Sequence, residues 1–348
     1  MRNVAKKLFV GGLVFFGSLV CLVIAYTRSL DLDSQPLANP STTTADLEFL
    51  KADLHASRGK ILAVVTNTAK AGPDIDAGLE LTELSRAYYT FQANGYEVEI
   101  ASPIGGRPPV RMDDELIDVD YAFLNDPIAR RKLSNTIPVK EVDPDLYKAV
   151  YFVGGKGVMF DFPRNPAIQR LTASVYDAGG VIGAVCHGPA ALIDVTLANG
   201  KKLLAGKKVT GFTNEEELFL IKEARQIFPF LLEDALRETS NYSEASKYLD
   251  YTIVDGRIVT GQNPWSTWSV AEGMIRALGH QPVSRDSSRE EKGMQVLVAF
   301  HHEGIDAAVK LRDKLNGADK RLILMHAAIA LIEGRVGEAY QLQRLAHG

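Results

Sequence analysis

The sequence predicts an α/β fold: a doubly wound, mainly parallel sheet sandwiched by helices, with an N-terminal transmembrane helix and a small all-α C-terminal extension. Apolar, strand-like runs alternate with helical segments between residues 60 and 278, which is the pattern of a parallel sheet. An uncharged apolar run occupies residues 8–26, and the pattern beyond residue 292 is purely helical.

Composition sets broad limits on function. The chain has 348 residues, of which 46% are hydrophobic, and a net charge of -4. This is an ordinary globular composition, and without a basic excess or a Lys/Arg run it does not indicate a nucleic-acid partner. The two cysteines cannot form a disulfide framework. The sequence contains no CxxC or HExxH motif that would indicate a metal site, so we expect no bound metal.

The N-terminus predicts a membrane anchor. Residues 1–7 carry three basic side chains and precede the apolar run at 8–26, whose length is close to the roughly 20 residues that span a bilayer. Positive charge before the span places residues 1–7 in the cytoplasm and the rest of the chain outside it, in the periplasm or extracellular space. Cleavage after Ala25, which would release a secreted protein, remains an alternative.

Composition changes along the chain predict the domain boundaries. Residues 27–55 are polar and rich in Ser, Thr, Asp and Pro, as in a linker, and residues 56–282 form the predicted catalytic domain. In the helical extension at 283–348, Glu303-Gly304 is echoed by Glu333-Gly334, which predicts two helical hairpins. We expect the extension to serve packing or self-association, for instance in a homodimer.

The catalytic domain is predicted element by element from its apolar periodicity. Strands are expected over residues 60–67, 96–102, 149–153, 181–185 and 208–212, a β-hairpin over 251–260, and helices over 78–94, 166–178 and 264–278.

Cys186 is the most informative position in the chain. It follows the buried strand at 181–185, and His187-Gly188-Pro189 then begins a helix. A side chain at such a tight strand-to-helix turn projects from the carboxyl edge of the sheet, as nucleophiles do in hydrolases. The adjacent helix N-terminus is expected to favour the thiolate. The alternative is a buried structural cysteine.

Backbone donors for a developing oxyanion are predicted at the neighbouring strand. Gly154 and Gly155 follow the strand at 149–153, so their N–H groups can face the thiol, together with the N–H of His187. The alternative is that the glycines only form a tight turn. On the helix at 78–94, Glu80 and Glu83 share one face, and their spacing alone distinguishes neither.

Three motifs together resemble the ThiJ/PfpI superfamily, in its branch of heat-shock-type chaperones and glutathione-independent glyoxalases (glyoxalase III). They are Cys-His-Gly-Pro at 186–189, Gly-x-x-x-x-Glu at 78–83 and GKKVTGFTNEEE at 206–217. The resemblance runs from about residue 60 to 278 and implies a flavodoxin-like, class I glutamine amidotransferase-like fold. Amidotransferase activity itself is not favoured, because those enzymes take their histidine from well downstream of the cysteine.

The resemblance also implies roles for residues around the nucleophile. Glu83 hydrogen-bonds the sulfur, which leaves Glu80 without a role, and His187 is oriented by Glu217. A shift of the alignment would move that last role into residues 215–216.

The function implied is that of a cofactor-independent glyoxalase or deglycase acting on small reactive carbonyls such as methylglyoxal. Cys186 attacks the aldehyde, Glu83 moves a proton through an enediol, and D-lactate leaves after hydrolysis, so that no glutathione, metal or nucleotide is required. Two alternatives stay open: a stress-response holding chaperone or redox-sensing module, and a cysteine peptidase or amidase.

Three residues depart from the family pattern. Lys156 stands where the usual Gly-Gly-His-Gly has histidine, and Trp265 and Trp268 replace small residues. We expect all three near the substrate pocket. The alternative for the tryptophans is packing beneath the C-terminal helices.

Overall fold

The computed structural model describes residue 32, residues 35–51 and residues 57–347. Contacts divide the chain into two compact units. The larger unit comprises the described residues between 38 and 286, and the smaller unit combines the described residues up to 37 with residues 287–347.

A mainly parallel sheet forms the centre of the larger unit. Within the described residues the strands are β1 (Gly59–Val64), β2 (Leu79–Glu80), β3 (Tyr96–Ser102), β4 (Val110–Arg111), β5 (Ile137–Pro138), β6 (Tyr147–Phe152), β7 (Val181–Val185), β8 (Lys208–Val209), β9 (Asn241–Tyr242), β10 (Thr252–Asp255) and β11 (Ile258–Gly261). The main sheet has the order β10-β11-β7-β6-β1-β3-β5. Its neighbours are parallel except β10, which runs antiparallel to β11. The carboxyl ends of β6 and β7 therefore meet at one edge.

Helices from the connecting segments cover this sheet. The α-helices of the larger unit are α1 (Leu81–Ala93), α2 (Asp118–Asn125), α3 (Pro127–Ser134), α4 (Val158–Asp161), α5 (Pro166–Asp177), α6 (Asn214–Leu220), α7 (Ala224–Ile227), α8 (Leu232–Thr239) and α9 (Thr267–Ala277). Short 3-10 helices lie at Thr44–Asp46, Glu48–Lys51, Val139–Glu141, Pro144–Leu146, Gly188–Leu192 and Pro264–Ser266. Helices α1 and α9 pack against each other, and α5 packs on β6 and β7.

Strand β7 owes its apolar sequence to complete burial. All five of its residues are buried, as is usual for a central parallel strand covered on both faces. A Cβ atom on Gly183 would lie 2.1 Å from the Met274 sulfur of α9. Glycine at this position therefore lets α9 approach the sheet closely.

Two elements beside Cys186 differ from their predicted form. The strand expected over 208–212 ends at Val209 and pairs with β9 in a separate small sheet. After Val209 the chain leaves this strand and passes beside Cys186, where the Phe212 N–H donates to the Cys186 carbonyl at 2.9 Å. The helix expected after Cys186 is a five-residue 3-10 helix, Gly188–Leu192.

The predicted transmembrane helix requires correction. In the described part of the chain, no helix has both the length and the apolar character needed to cross a bilayer. Residues 8–26, to which the prediction applied, lie outside the described residues. The described structure therefore does not support the predicted transmembrane helix, or the membrane anchor and extracytoplasmic location inferred from it.

The smaller unit contains two helical pairs. Its helices are α10 (Arg289–Glu303), α11 (Ile305–Leu315), α12 (Lys320–Ile332) and α13 (Val336–His347), and α10 packs with α11 and α12 with α13. Gly304 and Gly334 hold positive φ angles of 88° and 76° at the two turns, where glycine avoids the strain of other residues. Gln35 belongs to this unit, since its side-chain amide donates to the Ala318 carbonyl at 3.0 Å.

Candidate active site

Cys186 lies directly after β7 in a strained backbone conformation. Its φ is 58°, in the left-handed region that non-glycine residues rarely adopt. The Cys186 N–H donates to the Gly261 carbonyl at 3.0 Å, and its own carbonyl accepts from Phe212. A Cβ atom on Gly188 would lie 2.3 Å from the Phe152 carbonyl oxygen, so the turn has no space for a larger residue. These contacts fix the direction of the sulfur.

His187 connects the sulfur to a buried carboxylate. Its Nδ1 lies 3.3 Å from Cys186 Sγ, and its Nε2 lies 2.7 Å from Glu217 Oε2. The imidazole also lies against the Phe212 ring, with 4.6 Å between centroids. His187 and Glu217 are both buried. The structure thus brings a thiol, an imidazole and a carboxyl group into one hydrogen-bonded row.

The two glutamates before Glu217 have other partners. Glu216 accepts hydrogen bonds from the backbone N–H groups of Thr213 and Tyr248 and from the Asn263 side chain. Glu215 forms an ion pair with Lys247, with 2.5 Å between Oε1 and Nζ. Among these three acids at the start of α6, Glu217 is the one that contacts His187.

Glu83 is the second buried group that interacts with the sulfur. It lies in the first turn of α1 with no exposed surface, and its Oε2 accepts the Gly154 N–H at 2.7 Å. Its Oε1 forms no hydrogen bond of ordinary geometry to a described residue. The Cys186 thiol is nevertheless close enough to this carboxyl group to affect its pKa. Burial, followed by the charges of Glu80 and Asp114, raises the pKa of Glu83 well above its usual range. The protonated form of this carboxyl group is therefore favoured, and in that form it can donate to sulfur.

Burial also controls the cysteine itself. It raises the pKa of the Cys186 thiol well above its ordinary value, with Glu83 as the next cause. The sequence led us to expect a thiolate stabilised by a following helix. The short 3-10 helix at Gly188–Leu192 supplies little dipole, and desolvation outweighs it. The resting sulfur is therefore a thiol that needs a base.

The expected oxyanion donors differ in availability. The Gly154 N–H is occupied by Glu83. No hydrogen bond joins the N–H of Gly155 or of His187 to another described residue. Gly155 has a φ of 101°, and a Cβ atom there would lie 2.2 Å from the Gly78 carbonyl oxygen. Gly155 and His187 are therefore the two candidate donors at this edge.

Lys156 lies close enough to Cys186, Glu217 and Glu80 for their charges to interact. Its Nζ is 2.9 Å from Asp113 Oδ2. This pair, together with the charges of Cys186 and Glu217, raises the pKa of Lys156 against the opposing effect of burial. Lys156 is therefore a cation near the thiol.

The two tryptophans pack against residues outside the row that contains Cys186. Trp268 is buried with its ring 6.3 Å from that of Phe49, and the Arg285 guanidinium lies 3.7 Å from its centroid. Trp265 packs edge-on against Tyr248 at 5.8 Å. Trp268 thus has packing contacts within the larger unit, and Trp265 flanks the residues that surround Glu216.

Sequence reasoning assigned no role to Glu80, which is also part of this site. Glu80 is 5% exposed, and its Oε2 accepts the Asp113 N–H at 3.2 Å. This contact arises because β2 and β4 pair, with Glu80 opposite Arg111. A two-residue pairing inside a long polar connection leaves no periodic signal in the sequence. The only sequence feature that drew attention to Glu80 was its spacing of three residues from Glu83 on the predicted helix.

Comparisons with known proteins agree with this geometry. A sequence model of the DJ-1/PfpI family matches residues 75–276. The chain is 33% identical over 215 residues to glyoxalase 3 of Candida albicans, which covers 58% of this chain and 89% of that protein. It is 33% identical over 221 residues to a glutathione-independent glyoxalase of Saccharomyces cerevisiae, with the same shares covered.

Two solved structures extend the likeness. The rapid encystment protein of Francisella tularensis is 36% identical, with a TM-score of 0.60, covering 63% of this chain and 99% of that one. Glyoxalase III of Candida albicans is 29% identical, with a TM-score of 0.56, covering 63% of this chain and 97% of that one. These matches confirm the predicted resemblance to the ThiJ/PfpI superfamily and its glyoxalase III branch.

Proposed function

Because the chain belongs to the DJ-1/PfpI family, we propose that it is a glutathione-independent glyoxalase that converts small reactive carbonyls such as methylglyoxal, with Cys186 as the nucleophile. The observation that carries this proposal is the placement of one buried sulfur between His187 and the carboxyl group of Glu83. In this proposal His187 serves as the base and the protonated carboxyl group of Glu83 as the acid. An internal proton-transfer reaction needs both.

The first step forms a hemithioacetal. His187 Nδ1 takes the thiol proton of Cys186, and Glu217 stabilises the resulting imidazolium through Nε2. The thiolate attacks the aldehyde carbon of methylglyoxal, and the C=O electron pair moves to oxygen. The N–H groups of Gly155 and His187 stabilise that oxygen, and Glu83 then protonates it. Glu83 is now a carboxylate.

The second step moves hydrogen between the two substrate carbons. The Glu83 carboxylate removes the proton from C1, and the imidazolium of His187 protonates the C2 oxygen, which gives an enediol. Glu83 returns its proton to C2 while the C1 hydroxyl gives its proton to His187. The product is a lactoyl thioester on Cys186. C1 has been oxidised and C2 reduced, so no external oxidant or reductant is consumed.

Hydrolysis completes the cycle. Water adds to the thioester carbon and gives one proton to Glu83, and the departing Cys186 sulfur is protonated by His187. Methylglyoxal and one water have become lactic acid, and each protein group has regained its starting proton. The balance closes without glutathione.

Lactate formation by the purified protein tests this proposal. Wild type should convert methylglyoxal to lactate without added glutathione, and Cys186→Ala should form none while keeping the same circular dichroism. Glu215→Gln is the matched control, because this acid contacts Lys247 and not His187, and it should retain activity. Lactate formation by Cys186→Ala at the wild-type rate would contradict the assignment of the nucleophile.

The same preparation separates the alternative functions. Cleavage of peptides by wild type without lactate formation would favour a peptidase. Suppression of aggregation that is unchanged in Cys186→Ser, again without lactate formation, would favour a holding chaperone.

A further inference from the structure

Glu80 and Glu83 bind the two backbone polar groups of one residue, Gly154. The Glu80 N–H donates to the Gly154 carbonyl at 3.4 Å, and Glu83 Oε2 accepts the Gly154 N–H at 2.7 Å. Glu80 occupies the N-cap position of α1 without a capping hydrogen bond from its side chain, and Glu83 lies in the first turn, so both residues belong to the same helix end. The two buried carboxyl groups are therefore neighbours, and Glu83 is also close enough to Cys186 to interact with its thiol.

The surroundings of Glu80 are mainly acidic. The segment that follows β4 contributes Asp113, whose N–H donates to Glu80 Oε2, and the half-buried Asp114. Lys156 and Arg111 are the cations that face this group, and both are shared with Asp113.

One atom of Glu80 is left without a partner. Glu80 Oε1 is buried and forms no hydrogen bond to any described residue. A buried carboxylate oxygen without a donor disfavours the charged form. The Glu80 carboxyl group therefore stays protonated to a higher pH than an exposed glutamate does.

We propose that Glu80 is a positioning residue that acts through Glu83: it is neutral while the site works, and its ionisation places a negative charge beside the Glu83–Cys186 pair that opposes formation of the thiolate. The proposal deepens the proposed function, because it rests on the same cysteine site. Burial, followed by the charge of Asp114, raises the pKa of Glu80 to about 8. Below pH 8 the group is an uncharged neighbour, and above pH 8 it is an anion.

This predicts a pH-dependent difference between Glu80 and its amide. Glu80→Gln keeps the shape and neutrality of the protonated acid, so the variant and wild type should have the same thiol reactivity at pH 6–7. Above pH 8 only wild type gains the negative charge. The Cys186 thiolate should then form more readily in the variant.

The test is the rate of Cys186 alkylation by iodoacetamide in the full chain from pH 6 to 10, with modification at residue 186 read by peptide mass spectrometry. The ratio of the Glu80→Gln rate to the wild-type rate should be near one at pH 6–7. It should rise about fivefold by pH 9 and approach tenfold by pH 10, as a shift of one unit in the thiol pKa requires once Glu80 is ionised. A ratio that does not change with pH would indicate a packing effect and overturn the proposal, as would a ratio that falls. Glu141→Gln, at an exposed carboxylate, should match wild type throughout.

A second variant protects the test against a folding defect at Glu80. Lys156 lowers the pKa of Glu80, so Lys156→Met should move the inflection of the alkylation profile to higher pH. An inflection near pH 8 that stays unmoved would contradict the proposal. Because alkylation needs no turnover, this experiment can fail while lactate formation succeeds, and the reverse.

Discussion

Two groups of buried residues act on Cys186: the histidine side, which comprises His187 and Glu217, and the glutamate side, which comprises Glu83 and Glu80. Both contain buried carboxyl groups, but their electrostatic characters are opposite. On the histidine side, Glu217 has a partner at 2.7 Å that can carry positive charge. On the glutamate side, Glu83 accepts only a backbone N–H within hydrogen-bond geometry and stands beside the acid Glu80. The histidine side can therefore stabilise a positive charge on His187, whereas the glutamate side favours a protonated Glu83. A thiol between them can lose its proton to one side and receive one from the other.

Replacing the proton carrier should cause the largest loss. Glu83→Gln keeps the size of the side chain but cannot give up and recover a proton, so kcat for lactate formation should fall by about 1000-fold. The measurement is steady-state kinetics at pH 7, with folding checked by thermal denaturation. Activity within a few-fold of wild type would show that the glutamate side does not carry the proton.

Removing the second buried acid should change stability with a definite sign. The unfolded chain ionises Glu80 near the ordinary value of 4.5, whereas the folded protein does so at about 8. The raised value means that stability is fully present below pH 4.5 and is lost as the pH rises towards 8. Glu80→Gln removes that loss. Its free energy of unfolding should exceed that of wild type by on the order of 4 kcal/mol at pH 8 and by little at pH 4.5.

Urea denaturation at the two pH values measures this difference. Glu141→Gln, whose carboxylate is exposed, should stay within about 0.5 kcal/mol of wild type at both. An equal change at pH 4.5 and pH 8 would show that packing, and not ionisation, accounts for the effect of Glu80.

Neutralising the histidine side should cost less than losing the proton carrier. Glu217→Gln still contacts His187 but cannot stabilise its imidazolium by charge, so we expect kcat to fall by about 10- to 100-fold with a smaller change in KM. Glu215→Gln is the matched control. A loss equal to that of Glu83→Gln would mean that the two sides are not distinct in function.

The smallest expected effect is on the stability contributed by the cation that faces both sides. Lys156 and Asp113 have side chains that are 23% and 37% exposed, and solvent screens such a pair. Lys156→Met should lower the free energy of unfolding by less than about 1 kcal/mol, as measured by urea denaturation with Lys156→Arg as control. A larger loss would place Lys156 in the structural frame of the site.

The sequence was sufficient where the determinants are local. The apolar run at β7 and the Gly188-Pro189 pair after it predict a sheet edge at Cys186, and the strand ends there. Local signals cannot tell which of three consecutive glutamates faces inward, because successive helix residues point about 100° apart and the choice depends on Tyr248 and Asn263 packing from elsewhere.

Non-local pairing and electrostatics account for what the sequence left out. Glu80 meets Asp113 through the pairing of β2 with β4, two strands of two residues each. The direction of the Cys186 pKa depends on burial in the assembled fold, so the neighbouring turn alone suggested the wrong sign. The apolar segment at 8–26 suggested an anchor that the described helices do not contain.

The left-handed backbone at Cys186 has a cost for the whole chain. A side chain held at a φ of 58° makes the folded state less stable by about 1 to 2 kcal/mol than glycine would at the same position. Cys186→Gly relieves this strain, but it also removes a buried side chain and gives the unfolded chain more freedom. The fold therefore keeps an unfavourable backbone conformation at the one position that holds the sulfur, and a screen for improved variants must score turnover together with heat resistance.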